Sequence, residues 1–322
     1  MGLSTIHYAL ANIHSSLVAF FMQLTIGSRG SQLALWQANW VKDRLSARGH
    51  EVEVRIIKTA GDKMQNVPLM QSGTKGLFIK EIEEALIEGS VDLAVHSMKD
   101  LPTDQPAGLA VVAVPEREDA RDVFIAQSGK PWSALPPRAR VGTSSLRRQT
   151  QLRRLRSDLQ FVPLRGNLDT RLRKLQRGDC DALVVAAAGV HRLGLRDRIT
   201  AYFAPDEMCP AVGQGALAIE IRGDAAKVAE SVKSLDHAAT HCAVRAERAM
   251  LRHLGGGCQV PIAAHADIED GELKLIGVVA NLDGSRLIRS TATGPATDPE
   301  TVGARVAADL LSQGAREILE SL

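Results

Sequence analysis

One pattern recurs along the first two thirds of the chain: a short apolar run, then a polar loop, then apolar positions spaced as on one face of a helix. After the first such run, for example, Leu33, Trp36, Trp40 and Val41 share a helical face. Strands that alternate with helices in this way predict α/β structure with parallel sheets. The apolar runs are Leu24 to Gly27, Val91 to Val95, Val141-Gly142, Phe161 to Leu164 and Ala182 to Ala187.

This pattern falls into two halves, residues 22–116 and 117–212, which are joined by a polar, proline-containing stretch around residues 115–121. A further apolar run, Ala216 to Ile221, predicts another strand, and the chain could return there to join the sheet of the first half. We therefore predict two lobes with a cleft between them. The first domain comprises residues 22–116 plus 213–234, and the second comprises residues 117–212.

The pattern changes after residue 235. A helix over residues 237–254 is followed by three alternating runs at 261–268, 272–279 and 286–291. Asp270-Gly271 and Asp283-Gly284 separate these runs, and Asp-Gly between alternating strands indicates a β-hairpin. Val302, Val306 and Leu310 then mark an amphipathic helix. Residues 235–322 are thus predicted to form a small α+β domain with a three-stranded antiparallel sheet.

The overall charge is nearly balanced, with 39 basic and 37 acidic residues, so no global field favours nucleic acid or an anionic membrane. Locally, residues 138–177 hold twelve basic residues and only two acidic ones, Asp158 and Asp169. A nucleic-acid binder is one interpretation of this cluster, but Phe161 is its only aromatic residue and no nucleic-acid motif is present. A non-catalytic, two-lobed protein that binds a small polyanion is a second alternative.

The four cysteines, at positions 180, 209, 242 and 258, show neither CxxC pairs nor metal-ligand spacing. They predict no zinc site, no disulfide framework and a reducing compartment. Residues 1–21 contain no lysine or arginine, unlike a signal or transit peptide, and we expect a poorly ordered extension or a misassigned start with Met22 as initiator. No apolar run is long enough to span a bilayer.

Cys258 follows three consecutive glycines, Gly255, Gly256 and Gly257, which leave its thiol uncrowded. A thiolate is a strong nucleophile, so this loop is a candidate attachment or catalytic site. A tight turn before a buried, inert cysteine is the alternative. Two other motifs are weak evidence for a ligand site. Gly213-Gln214-Gly215 lacks the third glycine of a dinucleotide-binding fingerprint. The histidines at 237 and 241 share a helix face, but the sequence offers no third metal ligand.

Most cationic side chains of interest come directly after predicted strands. In parallel sheets ligands bind beyond the carboxyl ends of the strands, where helix N-termini also favour anions. Guanidinium groups bind carboxylates through two parallel hydrogen bonds. The sequence therefore predicts one anion-binding site, built from Arg29, Lys99, Arg147, Arg148, Arg165, Arg171 and Arg192.

Nine motifs, in order over nearly the whole chain, resemble those of the porphobilinogen deaminase family, also called hydroxymethylbilane synthase. They are GSRGSQLALWQA at 27–38, KGLF at 75–78, VDLAVHSMKDLP at 91–102, EREDARD at 116–122, VGTSSLRRQ at 141–149, LRGNLDTRL at 164–172, RLGL at 192–195, PAVGQGAL at 210–217 and GGGCQVP at 255–261. The resemblance implies two α/β lobes like those of periplasmic binding proteins plus the small C-terminal domain.

The resemblance also implies a reaction. A dipyrromethane cofactor, attached to Cys258 by a thioether, primes the head-to-tail polymerisation of four porphobilinogen molecules with loss of ammonia. Hydrolysis then releases 1-hydroxymethylbilane for tetrapyrrole biosynthesis. We expect a cytoplasmic, monomeric transferase that uses no metal and has no nucleic-acid or membrane partner.

By the same resemblance, Asp100 is the catalytic residue, because a carboxylate beside a pyrrole nitrogen stabilises cationic intermediates and assists proton transfer. A helix-capping role before Leu101-Pro102 is the alternative for this residue. The stretch 59–75 resembles the family's mobile lid. The cofactor-binding set is Cys258, Lys99, Asp100, Ser145, Arg147 and Arg148. The substrate-binding set is Arg29, Ser31, Gln37, Arg165, Arg171, Arg192 and Phe78, the last of which is otherwise an ordinary core residue.

Overall fold

A computed structural model describes residues 21–60, 79–255 and 260–321. Its strands are β1 (Gln23–Ser28), β2 (Glu51–Ile56), β3 (Leu93–Ser97), β4 (Leu109–Ala113), β5 (Asp122–Ala126), β6 (Arg140–Gly142), β7 (Gln160–Val162), β8 (Ala182–Ala186), β9 (Ala201–Tyr202), β10 (Leu217–Arg222), β11 (Ile262–Glu269), β12 (Glu272–Ala280) and β13 (Leu287–Pro295). Its helices are α1 (Gln32–Ser46), α2 (Lys80–Ile87), α3 (Leu146–Leu155), α4 (Leu168–Gln176), α5 (Ala187–Arg192), α6 (Ala226–Lys233), α7 (Ala238–His253), α8 (Pro299–Ser312) and α9 (Ala315–Glu320).

Two five-stranded sheets share one topology. The first sheet has the order β2-β1-β3-β10-β4, and the second has the order β7-β6-β8-β5-β9. We call the first sheet with its helices lobe 1 and the second with its helices lobe 2. In each sheet the first three strands are parallel to one another, as predicted. The fourth strand, β10 in lobe 1 and β5 in lobe 2, runs antiparallel to both of its neighbours. The parallel strands are joined through helices, whereas β5 and β10 each enter from the other lobe, so no helical crossover dictates their direction.

A third, antiparallel sheet, β11-β12-β13, forms the C-terminal unit together with α7 and α8. Glu269 pairs with Glu272 across the Asp270-Gly271 turn, and both turn residues have positive φ, as a tight hairpin turn requires. Met250 of α7 and Val306 of α8 pack on Leu275 of the sheet in one buried core. The three-stranded sheet and its helices confirm the predicted fold class of this part of the chain.

The central strands of both lobes are buried because helices cover their faces. Ile26 and Leu93 in lobe 1, and Leu183 and Val184 in lobe 2, are fully buried. Such strands appear in a sequence as continuous apolar runs, which is why they were predictable. Their carboxyl ends point toward the space between the lobes, where the polar loops follow.

The two chain segments that connect the lobes touch each other at Gly215 and Glu118. The Glu118 N–H donates a hydrogen bond to the Gly215 carbonyl at 3.3 Å. Gly215 has a φ of +90°, and a Cβ atom there would clash with the Glu118 carbonyl oxygen. Only glycine combines this backbone conformation with such a close approach of two main chains.

Gly215→Ala is therefore expected to lower the free energy of unfolding by about 3 kcal/mol, through a left-handed alanine and an overpacked contact. Urea denaturation measures this value. Gly178→Ala is a matched control, because Gly178 also has positive φ, +79°, but has no neighbouring atom within 4 Å of its Cβ position. We expect that variant to lose only about 1 kcal/mol. Equal losses in the two variants would show that the contact with Glu118 is not tight.

Candidate functional site

A cavity of about 640 Å³ lies between the lobes, at the carboxyl ends of β1, β3, β6, β7 and β8. Every described member of the predicted site lines it: Arg29, Ser31, Gln37, Lys99, Asp100, Ser145, Arg147, Arg148, Arg165, Arg171 and Arg192. Cys258 and Phe78 lie outside the described residues, as do residues 61–75 of the predicted lid. The C-terminal unit also contributes to the wall, through Arg248, Leu251, Val260 and Ile262.

Lobe 1 presents its residues on the two loops that follow β1 and β3. Ser31 caps α1, with its Oγ accepting a hydrogen bond from the Ala34 N–H at 3.3 Å. Gln37 follows on the same helix and is buried. Lys99 and Asp100 lie in a short 3-10 turn after β3, with Asp100 exposed at the cavity wall. Asp100 ends this turn, so the alternative role at a helix N-terminus does not match its position.

Lobe 2 presents two buried arginines in the first turn of α3, a helix capped by Ser145. Positive charge is unfavourable at a helix N-terminus, because the helix dipole is positive there. The buried carboxylate of Asp122 offsets this unfavourable energy by pairing with both guanidinium groups. Arg147 Nη1 lies 2.6 Å from Asp122 Oδ2, and Arg148 Nε lies 3.0 Å from Oδ1. Burial would raise the pKa of Asp122, but the charges of both arginines hold it well below its usual range.

Two further arginines reach the cavity from α4 and α5. Arg171 Nε donates to the Gly166 carbonyl at 2.9 Å, and Arg192 Nη2 donates to the Gly215 carbonyl at 2.7 Å. Burial lowers the pKa of each guanidinium to about 10, so both stay charged at neutral pH. The negative charge of Asp100 counteracts this lowering at Arg171, which places lobe 1's carboxylate in electrostatic contact with lobe 2.

Lys99 lies among both cationic and anionic neighbours. Burial is the main cause that lowers the pKa of its ammonium group to about 8; the carboxylates of Asp100 and Asp122 counteract it, and the charges of Arg148 and Arg147 add to it. Arg147 donates to Asp122 and to the Cys209 carbonyl through its Nη1.

Cationic groups gather around this part of the cavity. The charges of Lys99, Arg147 and Arg148 act on one another, as do those of Arg148 and Arg171, and the carboxylates of Asp100 and Asp122 lie among them. The donor set therefore fits a ligand that brings several carboxylates, and the cavity volume is in the range of small-molecule sites.

Three functional candidates were not found from the sequence. Asp122 and Gln214 are buried, and Gln214 Nε2 donates to Asp122 Oδ1 at 3.0 Å and to the Ala120 carbonyl at 2.7 Å, tying the two interlobe segments together. Arg248 of α7 donates to the Leu101 carbonyl, one residue after Asp100, at 3.3 Å. Gln214 and Asp122 lie within the family motifs at 210–217 and 116–122, but neither motif by itself indicates a contact between the interlobe segments.

The two helix histidines have structural partners. His237 caps α7, accepting a hydrogen bond from the Thr240 N–H, and His241 Nδ1 lies 2.8 Å from Asp236 Oδ1. Across the residues that the structure describes, no group of three metal-ligating side chains comes together.

The fold and the cavity define a two-lobed α/β protein whose interlobe cavity is lined by arginine and lysine side chains beside the exposed carboxylate of Asp100. The family model "Porphobilinogen deaminase, dipyromethane cofactor binding domain" matches residues 24–230, and the model "Porphobilinogen deaminase, C-terminal domain" matches residues 241–312. The chain belongs to the porphobilinogen deaminase family. This confirms the predicted family and enzyme class, a transferase that polymerises porphobilinogen in tetrapyrrole biosynthesis.

Curated relatives cover almost the whole chain. Porphobilinogen deaminase of Pelobacter propionicus is 52% identical over 93% of this chain and 97% of its own length. The same enzyme of Geobacter sulfurreducens is 52% identical over 92% of this chain and 94% of its own. Among solved structures, a methionine-binding protein aligns with 14% identity and a TM-score of 0.42, over 66% of this chain and 88% of that one. Within the described ranges, no helix has the length and apolar character needed to cross a bilayer.

Proposed function

We propose that this chain joins four porphobilinogen molecules head to tail on a dipyrromethane primer, which is bound to Cys258 through a thioether, and releases 1-hydroxymethylbilane by hydrolysis. The observation that carries the proposal is the cavity itself: all described residues of the predicted set line one cationic space around Asp100. Val260, two residues after Cys258 in the chain, lines the same space.

The residues present fit the primer. Each of its two pyrrole rings carries an acetate and a propionate, and the ammonium group of Lys99 and the guanidinium groups of Arg147 and Arg148, which line the cavity, suit such carboxylates. The Ser145 hydroxyl lies at the N-terminus of the same helix as the two arginines. When bound, the primer would supply the nucleophilic pyrrole carbon to which the first new ring is joined, and each later ring is joined to the free end of the growing chain.

Asp100 is the proposed catalytic residue. Its carboxylate is exposed to the cavity, one residue from Lys99 and in electrostatic contact with Arg171. In this position it stabilises positive charge on a pyrrole nitrogen of the bound substrate and accepts a proton at the reacting carbon.

The remaining cationic residues are proposed to hold the substrate and the growing chain. Arg29, Ser31 and Gln37 face the cavity from lobe 1, while Arg165, Arg171 and Arg192 face it from lobe 2. Guanidinium forks on both sides allow carboxylates to change partners as the chain lengthens. The stacking role of Phe78, the lid at 59–75, the monomeric state, the cytoplasmic location and the domain boundaries stay predictions.

Turnover with porphobilinogen tests the proposal. The purified protein should consume four porphobilinogen molecules and release four ammonia molecules for each 1-hydroxymethylbilane, as followed by rapid quench and mass spectrometry. Tight binding of porphobilinogen without ammonia release would contradict the proposal and favour the non-catalytic binding protein considered above. A product other than the linear tetrapyrrole would also contradict it.

A further inference from the structure

A histidine outside the predicted site lies where the two interlobe segments meet. His191 of α5 has a side chain that is only 5% exposed. Its Nδ1 is 3.0 Å from Glu118 Oε1, and its Nε2 is 2.9 Å from the Tyr202 hydroxyl. Glu118 belongs to the segment that leads from β4 into β5. The imidazole thus links α5 to an interlobe segment and to β9.

The contact with Glu118 shows that Nδ1 carries a proton. A carboxylate only accepts hydrogen bonds, so Nδ1–H donates to Glu118, while Nε2 and the Tyr202 hydroxyl share the second bond. Burial would raise the pKa of Glu118, but the bonds from His191 and the Asp119 N–H lower it. Arg196, 3.8 Å from Glu118, Arg121, above the Tyr202 ring, and Asp119, which accepts hydrogen bonds from Arg121, also carry charge around this cluster.

The residue after His191 is Arg192. His191 is bonded to Glu118 and Arg192 to Gly215, the two residues at which the interlobe segments touch. Arg192 Nη2 and the Glu118 N–H donate to one acceptor, the Gly215 carbonyl, at 2.7 and 3.3 Å. Helix α5 has only six residues and no side-chain hydrogen bond at its N-cap. Backbone bonds from the Gly194 N–H to the His191 carbonyl and from the Leu195 N–H to the Val190 carbonyl close its last turn. The bond from His191 to Glu118 joins this turn to the interlobe segment.

We propose that His191 is a positioning residue: its bond to Glu118 holds the end of α5 so that Arg192, anchored on Gly215, directs its remaining donors into the cavity. This inference rests on the proposed function, in which Arg192 binds a substrate carboxylate. Loss of the bond lets Arg192 sample other directions, which weakens substrate binding without removing any group from the reacting atoms.

His191→Leu should raise KM for porphobilinogen roughly tenfold with kcat nearly unchanged, the effect expected for losing one charge-assisted hydrogen bond. His191→Asn should stay within about threefold of the wild-type KM, because its amide N–H replaces Nδ1–H toward Glu118. Glu118→Ala removes the acceptor instead and should match His191→Leu. The double variant should be no worse than either single variant, since both remove one interaction.

His241→Leu is the matched control. It removes another bond from a histidine Nδ1 to a carboxylate, that of Asp236, at a residue which does not line the cavity. Its KM and kcat should be those of the wild type. If His191→Leu does not fold, Glu118→Ala and His191→Asn carry the test.

Two results would overturn the inference alone while the wild type turns over normally. One is an unchanged KM in His191→Leu and Glu118→Ala. The other is a KM in His191→Asn as high as that in His191→Leu. Absence of wild-type turnover would instead overturn the proposed function and this inference together.

Discussion

Replacing Cys258 with serine is expected to give a protein whose intact mass equals that of its sequence and which converts no porphobilinogen. The proposed thioether requires a sulfur nucleophile, and a serine hydroxyl is scarcely ionised near neutral pH and attacks poorly without an activating base. The wild type, by contrast, should weigh more than its sequence by one dipyrromethane. Intact-protein mass spectrometry of both proteins under denaturing conditions measures the difference, because a thioether survives denaturation.

The other cysteines supply the control for this experiment. Cys180 and Cys209 are buried, and burial raises the pKa of both thiols, to about 12 at Cys209. Burial also raises the pKa of Cys242, whose Sγ contacts the Ala296 carbonyl. Cys242→Ser should therefore keep both the added mass and the turnover. A wild type that carries no added mass and yet turns over normally would contradict the proposed attachment.

The charged residues of the site were predictable because of where parallel strands end. Lys99, Arg147 and Arg165 each follow an apolar run, and the carboxyl ends of these runs meet at one place in either lobe. Local sequence is sufficient for such a prediction, since strand and loop are adjacent in the chain. That the two lobes face each other across one cavity came from the family resemblance rather than from the pattern.

Residues that act through long-range contacts were not predictable in this way. Asp122 lies in a fully buried strand, and its two arginine partners come 25 and 26 residues later. Arg248 reaches Leu101 across 147 residues. Nothing in the local sequence around an aspartate in an apolar strand or an arginine on a helix indicates such partners, because tertiary packing alone creates them.

The apolar runs predicted β1, β3, β6, β7, β8 and β10, whereas β2, β4, β5 and β9 were not predicted. Strands β1, β3, β6 and β8 are continuous apolar runs, and the two Asp-Gly turns identified the C-terminal hairpins. β9 has only two residues, too few for a periodic signal. β2 has the sequence EVEVRI, in which polar and apolar residues alternate, so its signal is that of a half-buried strand and not a continuous apolar run. The antiparallel direction of β5 and β10 depends on the interlobe crossings, which periodicity does not encode.

Asp100→Asn is expected to lower kcat at least a hundredfold while the protein still folds, because asparagine keeps the shape of the side chain but not its charge. Without the carboxylate, positive charge on a bound pyrrole loses its counter-charge among the surrounding guanidinium groups. Asp100 also raises the pKa of Lys99, so this pKa should fall below about 8 in the variant. Lys99 then loses its proton at lower pH, and the defect should deepen as pH rises toward 8.

Asp104→Asn is the matched control for this variant. Asp104 is a largely exposed carboxylate in the same loop, 3.8 Å from Arg252, and it does not line the cavity. Its removal should leave kcat within about twofold of the wild type, since exposed ion pairs contribute little. Steady-state assays at pH 6.5 to 8.5, with intact mass recorded for each sample, separate slow chemistry from loss of the primer. A kcat in Asp100→Asn close to that of Asp104→Asn would exclude Asp100 as the catalytic carboxylate.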